Sequence, residues 1–186
     1  AGHQVAVPLP QLAWLQAATA LLNNGMAIDE MGPASSPMEE AVMQELARFM
    51  GLGSASSGIL CHGGTLANLT ALLAARQRKA SGNAWKNGSA RLCAVLVSEQ
   101  AHYCVDRAVR VMGWGAAGTV KVRTLGNHQI DPEALQEAHA EATDQGMEVI
   151  AVVGNACTTS TGTFDDLEML ASFAQQNDLW FHVDGA

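Results

Sequence analysis

The sequence predicts an α/β fold, a mostly parallel sheet covered by helices on both faces. Two observations predict it. Short apolar runs at residues 58–61, 92–97, 119–122, 149–153 and 179–183 read as buried strands. Amphipathic patterns at 65–78, 103–112, 132–145 and 166–177 lie between them, and such alternation is the mark of parallel strands joined by crossover helices.

Residues 1–57 read as an N-terminal helical segment. Leu12, Leu15, Thr19 and Leu22 recur at helical spacing, and Asn23-Asn24-Gly25 supplies a stop. Ser36, Pro37 and Glu39 together spell a capping box with proline in the first turn. Val42, Met43, Leu46 and Phe49 give that helix an apolar face, ended by Gly51-Leu52-Gly53. Residues 58–186 then carry the alternating elements. The stretch 79–89, with Gly82, Asn83, Asn87 and Gly88, reads as a surface loop. Asp131-Pro132-Glu133 opens the third helical pattern, which repeats Leu135, Ala138 and Ala142 and stops at Gly146. Asp165, Asp166 and Glu168 stand in the first turn of the fourth, where the helix dipole favours negative charge.

Composition excludes several classes. The 186 residues are 48% hydrophobic and 15% charged, as expected of a soluble globular protein. A net charge of -8 argues against nucleic acid or an anionic membrane as partner. No apolar run approaches the roughly 20 residues of a membrane span, and no signal peptide opens the chain. The first residue is Ala1, so a segment upstream is expected. Cys61, Cys93, Cys104 and Cys157 are scattered, and the six histidines lack zinc-site spacing. No metal site is expected, and reduced thiols point to the cytoplasm.

A parallel sheet binds ligands beyond the carboxyl ends of its strands, so the residues that follow each apolar run are the candidates. His62-Gly63-Gly64-Thr65 joins a strand to a helix. Its glycines allow close approach of an anion to free amides, with the Thr65 hydroxyl as a further donor. An ordinary turn with Thr65 as helix cap reads equally well. His102 could lie flat against an aromatic ligand or exchange protons; it could also simply start the next helix. Thr158 and Thr159 could donate to a ligand, or their hydroxyl-rich loop could satisfy its own backbone. Asp184 ends an otherwise apolar strand, where a carboxylate needs a partner: a protonated ring nitrogen of a ligand, a salt bridge, or a cap on the next element. Gly113-Trp114-Gly115-Ala116-Ala117-Gly118 matches G-x-G-x-x-G but follows a helix and leads into a strand, the reverse of a dinucleotide site. It is read as a helix-terminating turn.

Taken together and in order, these segments resemble the group II pyridoxal-phosphate decarboxylases, a family that includes the aromatic amino-acid, glutamate and diaminobutyrate decarboxylases. The resemblance rests on the run from Gly58 through Gly63-Gly64-Thr65 to Arg76, on Ser98-Glu99-Gln100-Ala101-His102, on Cys157-Thr158-Thr159 with Gly162-Thr163-Phe164-Asp165, and on His182-Val183-Asp184-Gly185-Ala186. Ser36-Pro37 with Glu39 and Glu40 is similar to an upstream family pattern. Cys157 and Gly185 depart from the family's usual glycine and alanine, small residue for small.

The resemblance implies the large domain of a fold type I pyridoxal-phosphate transferase-like protein, present in part over residues 58–186. It implies the cofactor pyridoxal 5'-phosphate and α-decarboxylation of an L-amino acid by a homodimer. Gly64 and Thr65 would bind the phosphate, and His102 would stack on the ring. Thr159 would lie near the reacting edge. Asp184 would pair with the ring nitrogen, with Ala186 on the opposite ring face. His102 and Asp184 would be the catalytic pair. The family's covalent lysine follows a histidine beyond its His-Val-Asp motif; Lys79, Lys86 and Lys121 do not fit it. The rest of the large domain and the small domain are likewise missing, so the chain alone is expected to be inactive. An aldehyde-lyase or aminotransferase on the same scaffold, or a non-catalytic protein retaining it, are the alternatives.

Overall fold

The computed structural model describes residues 7–186. The chain divides into two compact units, Ala1–Cys61 and His62–Ala186.

The first unit holds α1 (Leu12–Leu22) and α2 (Ser35–Phe49). α1 stops at Asn23, which takes a left-handed φ of 45° and donates its N–H to Thr19 O at 3.2 Å. α2 closes in a Schellman motif: Gly51, at φ 71°, donates to Arg48 O at 3.1 Å and Leu52 to Ala47 O at 2.9 Å. The expected capping box is not formed. Ala34 occupies the N-cap position and no side chain caps the helix. Glu39 is committed elsewhere, accepting the Leu60 N–H at 2.6 Å, and so cannot reach back to the helix start.

That bond also bears on a second departure. Residues 58–61, expected as a strand, form none. Gly58 passes so close to α2 that a Cβ there would lie 2.9 Å from Met43 Sδ. A short apolar run becomes a strand only where a sheet edge takes its backbone groups. Here the Leu60 amide is taken by a side chain, and Ile59 and Leu60 stay exposed.

The second unit holds α3 (Gly64–Lys79), α4 (Ala84–Asn87), β1 (Cys93–Ser98), α5 (Cys104–Val111), β2 (Thr119–Val122), α6 (Pro132–Asp144), β3 (Glu148–Asn155), α7 (Leu167–Gln176) and β4 (Trp180–Asp184). The strands form one sheet in the order β2-β1-β3-β4, parallel throughout. β1 is wholly buried, as its unbroken apolar run requires. Cys93, Val95 and Val97 pack with Leu72, Ala75, Val105 and Val109 of α3 and α5. Leu96 packs oppositely, with Leu135 of α6 and Leu170 and Phe173 of α7. The register slips where Ala94 pairs Val149 but Val95 pairs Ala151. Ile150 is thus the extra residue of a bulge, and it shares a core with Ala151 instead of alternating.

The stretch 79–89 is not a plain surface loop. It contains α4, capped by Asn83, whose side chain accepts the Lys86 N–H at 3.0 Å, and it buries Ala80 and Ala84 in the core. Alanines are small enough to enter a gap that a polar loop would leave to water. The Gly113 segment is the turn that ends α5, with Gly113 at φ 85° and Trp114 buried.

Asp131 caps α6 and Asp166 caps α7. Asp165, expected in the first turn of the last helix, instead lies ahead of it and points inward, 4% exposed. One oxygen accepts the Ile130 N–H at 3.0 Å; the other accepts the Asn155 N–H at 2.8 Å and its Nδ2 at 2.7 Å.

Candidate active site

The candidate residues that converge do so in the second unit, where α3 begins and β4 ends. Gly63, at φ 86°, is the N-cap of α3. Gly64 and Thr65 are therefore the first helical residues, and their N–H groups have no intrahelical acceptor. Thr65 is exposed and is not the cap, which removes that reading of its hydroxyl. A Cβ on Gly64 would fall 2.5 Å from the Ala186 Cβ, so glycine is what lets the chain leaving β4 pass the helix start.

Asp184 pairs with Asn155 in the sheet, and its side chain is 8% exposed. Its Oδ1 accepts from Asn68 Nδ2 at 3.1 Å and from the Ala186 N–H at 3.2 Å. Oδ2 faces Cys104 Sγ at 4.0 Å. Among the described residues, no lysine, arginine or histidine forms an ion pair with it. Lys79 is bound to Asp178 at 2.6 Å, Lys86 lies in α4, and Lys121 lies in β2. Burial pushes the Cys104 thiol up, and the charge of Asp184 pushes the same way, so Cys104 stays a thiol at neutral pH.

Sequence reasoning gave Asn68 no role. It lies one helical turn beyond Gly64, is 3% exposed, and shares a buried stripe with Leu72 and Ala75. Its Nδ2 donates to Gly64 O at 3.0 Å as well as to Asp184, and its Oδ1 makes a short hydrogen bond with His182 Nε2. His182 precedes Asp184 by two residues, so both side chains leave the same face of β4. Burial lowers its pKa, with the Asp184 charge opposing. The one available signal was a lone asparagine on the buried stripe of α3.

His102 is half-buried and lies two residues ahead of α5, its Nδ1 accepting the Cys104 N–H at 3.3 Å. That bond fixes the neutral ring's hydrogen on Nε2. The ring also packs on Tyr103, centroids 4.1 Å apart, and lines a cavity of about 360 Å³ with Ser98, Arg110 and Lys121. Through Cys104, His102 adjoins Asp184. Thr158 is buried and closes its own loop: its N–H donates to Thr163 O at 2.9 Å, and its Oγ1 accepts the Thr163 N–H at 3.2 Å. Thr159 is exposed and takes no part in those bonds. The structure thus gathers Gly64, Asp184, Ala186 and, through Cys104, His102; Thr159 is not tied to them.

Two unlike demands meet here. Open amides at a helix start suit an anion, while a buried carboxylate lacking a cation suits a protonated nitrogen. A ligand with an anionic group at one end and a basic ring at the other satisfies both.

Residues 12–186 match the family described as the pyridoxal-dependent decarboxylase conserved domain. The chain is 33% identical to an aspartate 1-decarboxylase of Aliivibrio fischeri, over 89% of this chain and 35% of that protein. It is 30% identical to an L-2,4-diaminobutyrate decarboxylase of Acinetobacter baumannii, over 95% of this chain and 38% of that one. The crystal structure of the glutamate decarboxylase domain of a diaminobutyrate-pyruvate transaminase and L-2,4-diaminobutyrate decarboxylase from Vibrio parahaemolyticus superposes with a TM-score of 0.90 at 29% identity. That match covers all of this chain and 42% of the other. The chain spans about a third of the length of the curated relatives it matches.

Proposed function

We propose, since this chain belongs to the family of pyridoxal-dependent decarboxylases, that the full-length protein removes the α-carboxylate of an L-amino acid, releasing carbon dioxide and an amine, with pyridoxal 5'-phosphate as cofactor. The observation that carries this reading is Asp184, a buried carboxylate with no ion-pair partner among the described residues, set beside a helix start open to an anion. When bound, the cofactor's ring accepts the electron pair left behind as the carboxylate departs.

The chain's own residues divide the work. Gly64 and Thr65 hold the phosphate with first-turn amides and a hydroxyl. Asp184 accepts a hydrogen bond from the ring nitrogen and keeps a proton on it; each pKa unit it adds is worth about 1.4 kcal/mol. His102 would lie against one ring face, where its Nε2–H could orient the substrate carboxylate, with Ala186 against the other. Thr159 would face the reacting edge. A homodimer is supported by the helices of the first unit, which bury none of their own side chains and expose Trp14, Leu21 and Phe49. No helix among the described residues is long and apolar enough to cross a membrane. The net charge of -8 disfavours nucleic acid and anionic membrane as partners, and we propose a cytoplasmic protein.

The test is product analysis of the full-length protein with cofactor, offered aspartate, glutamate, 2,4-diaminobutyrate and aromatic amino acids. Equal amounts of carbon dioxide and amine are expected. A keto acid or an aldehyde without carbon dioxide would mean another enzyme on this scaffold, and no product would mean a non-catalytic one. Gly64→Ala is expected to weaken cofactor binding by about tenfold, because its methyl meets Ala186 and overpacking costs about 1–3 kcal/mol. Fluorescence titration of the apoprotein measures this; unchanged affinity would exclude the turn from the phosphate site.

A further inference from the structure

We propose that Asn68 and His182 are positioning residues, a hydrogen-bonded relay that holds Asp184 in the orientation its pairing with the ring nitrogen requires. The proposal rests on the reading of Asp184 given above.

The polarity of the chain of bonds is forced. A carboxylate only accepts, so the Asn68 edge facing Asp184 is its NH₂. The Asn68 oxygen then faces His182, and Nε2 of that ring is the donor. Without His182 the amide could turn over and set its oxygen against the carboxylate. With Nε2 carrying the ring hydrogen, a turned amide would set two donors against each other and would also give up its bond to Gly64 O. Burial keeps the imidazole neutral, with its single ring hydrogen free to serve this bond.

The amide has two hydrogens. One goes to Asp184 at 3.1 Å and the other to Gly64 O at 3.0 Å, so one side chain sets the helix start and the carboxylate relative to each other. Those are the two ends between which a phosphate-bearing ring would be held. The site therefore has a gauge built into α3, and its length is one helical turn.

The test uses the full-length protein with bound cofactor and three variants: Asn68→Leu, Asp184→Asn and the double substitution. Removing a hydrogen bond to a charged group of this kind should lower kcat by about 10- to 100-fold with little change in KM. Asn68→Leu should also move the visible absorbance of the bound cofactor in the same direction as Asp184→Asn. In the Asp184→Asn background, Asn68→Leu should cost no more than about twofold, because it acts through Asp184.

Asp184→Asn with unaltered turnover and absorbance would overturn the assignment of Asp184 and this inference with it. An impaired Asp184→Asn beside an Asn68→Leu of normal absorbance, or losses that simply multiply, would overturn this inference alone. Should Asn68→Leu not fold, His182→Phe tests the relay from its far end and should shift the absorbance likewise. His182→Gln, which keeps an N–H donor, should recover most of the loss; equal defects in the two would overturn the relay.

Discussion

Asp184→Ala in the full-length protein is expected to slow decarboxylation by about a thousandfold. The argument is electrostatic. Asp184 is 8% exposed and lacks an ion-pair partner among the described residues, so a ring nitrogen that pairs with it does so away from water. Removing one member of a buried pair costs about 3–5 kcal/mol, which corresponds to roughly 10²- to 10⁴-fold in rate. The change also takes the acceptor from Asn68 Nδ2 and the Ala186 N–H, so the apoprotein should lose about 1–3 kcal/mol of stability as well. Single-turnover release of carbon dioxide, read beside the melting temperature of the apoprotein, separates the two effects. Turnover within tenfold of the parent would refute the role assigned to Asp184.

Asp165→Ala is expected to act on the fold rather than the chemistry, destabilising it by about 3 kcal/mol or more. Its carboxylate takes the Ile130 N–H, the Asn155 N–H and the Asn155 amide. Each buried donor left unpaired costs about 1–3 kcal/mol. The neighbouring Asp166 provides the control, because it accepts a single N–H from Met169 at 2.9 Å as the cap of α7. Asp166→Ala should cost only about 1 kcal/mol. Urea unfolding of the two variants should therefore give clearly separate midpoints, and coincident midpoints would contradict the reading.

These two aspartates show where sequence reading reaches and where it stops. Adjacent acidic residues ahead of a helix announce a cap, and Asp166 is one. Nothing local tells that Asp165 turns inward, because its partners lie 10 and 35 residues away. The strands at 92–97 and 149–153 were legible because burial on both faces leaves an unbroken apolar run, whereas those at 119–122 and 179–183 are only half-buried and showed through their valines and aromatics. The run at 58–61 looked the same, but its Leu60 amide is taken by Glu39, and no pattern within four residues records that. The capping box at Ser36 failed for the same reason, its glutamate being claimed at a distance. Gly64, Asp184 and His102 could be named from order and motif. Asn68 could not, since the meaning of a lone amide on a buried stripe lies 116 residues further along the chain.

That separation has a thermodynamic consequence. A molecule that engages both the start of α3 and the end of β4 binds only the completed sheet and has nothing to hold in the unfolded chain. By mass action, its occupancy must therefore draw the folding equilibrium toward the native state, and any substitution that loosens the sheet anywhere must weaken its retention. Conformational integrity and vitamer capture are, in this architecture, one linked equilibrium.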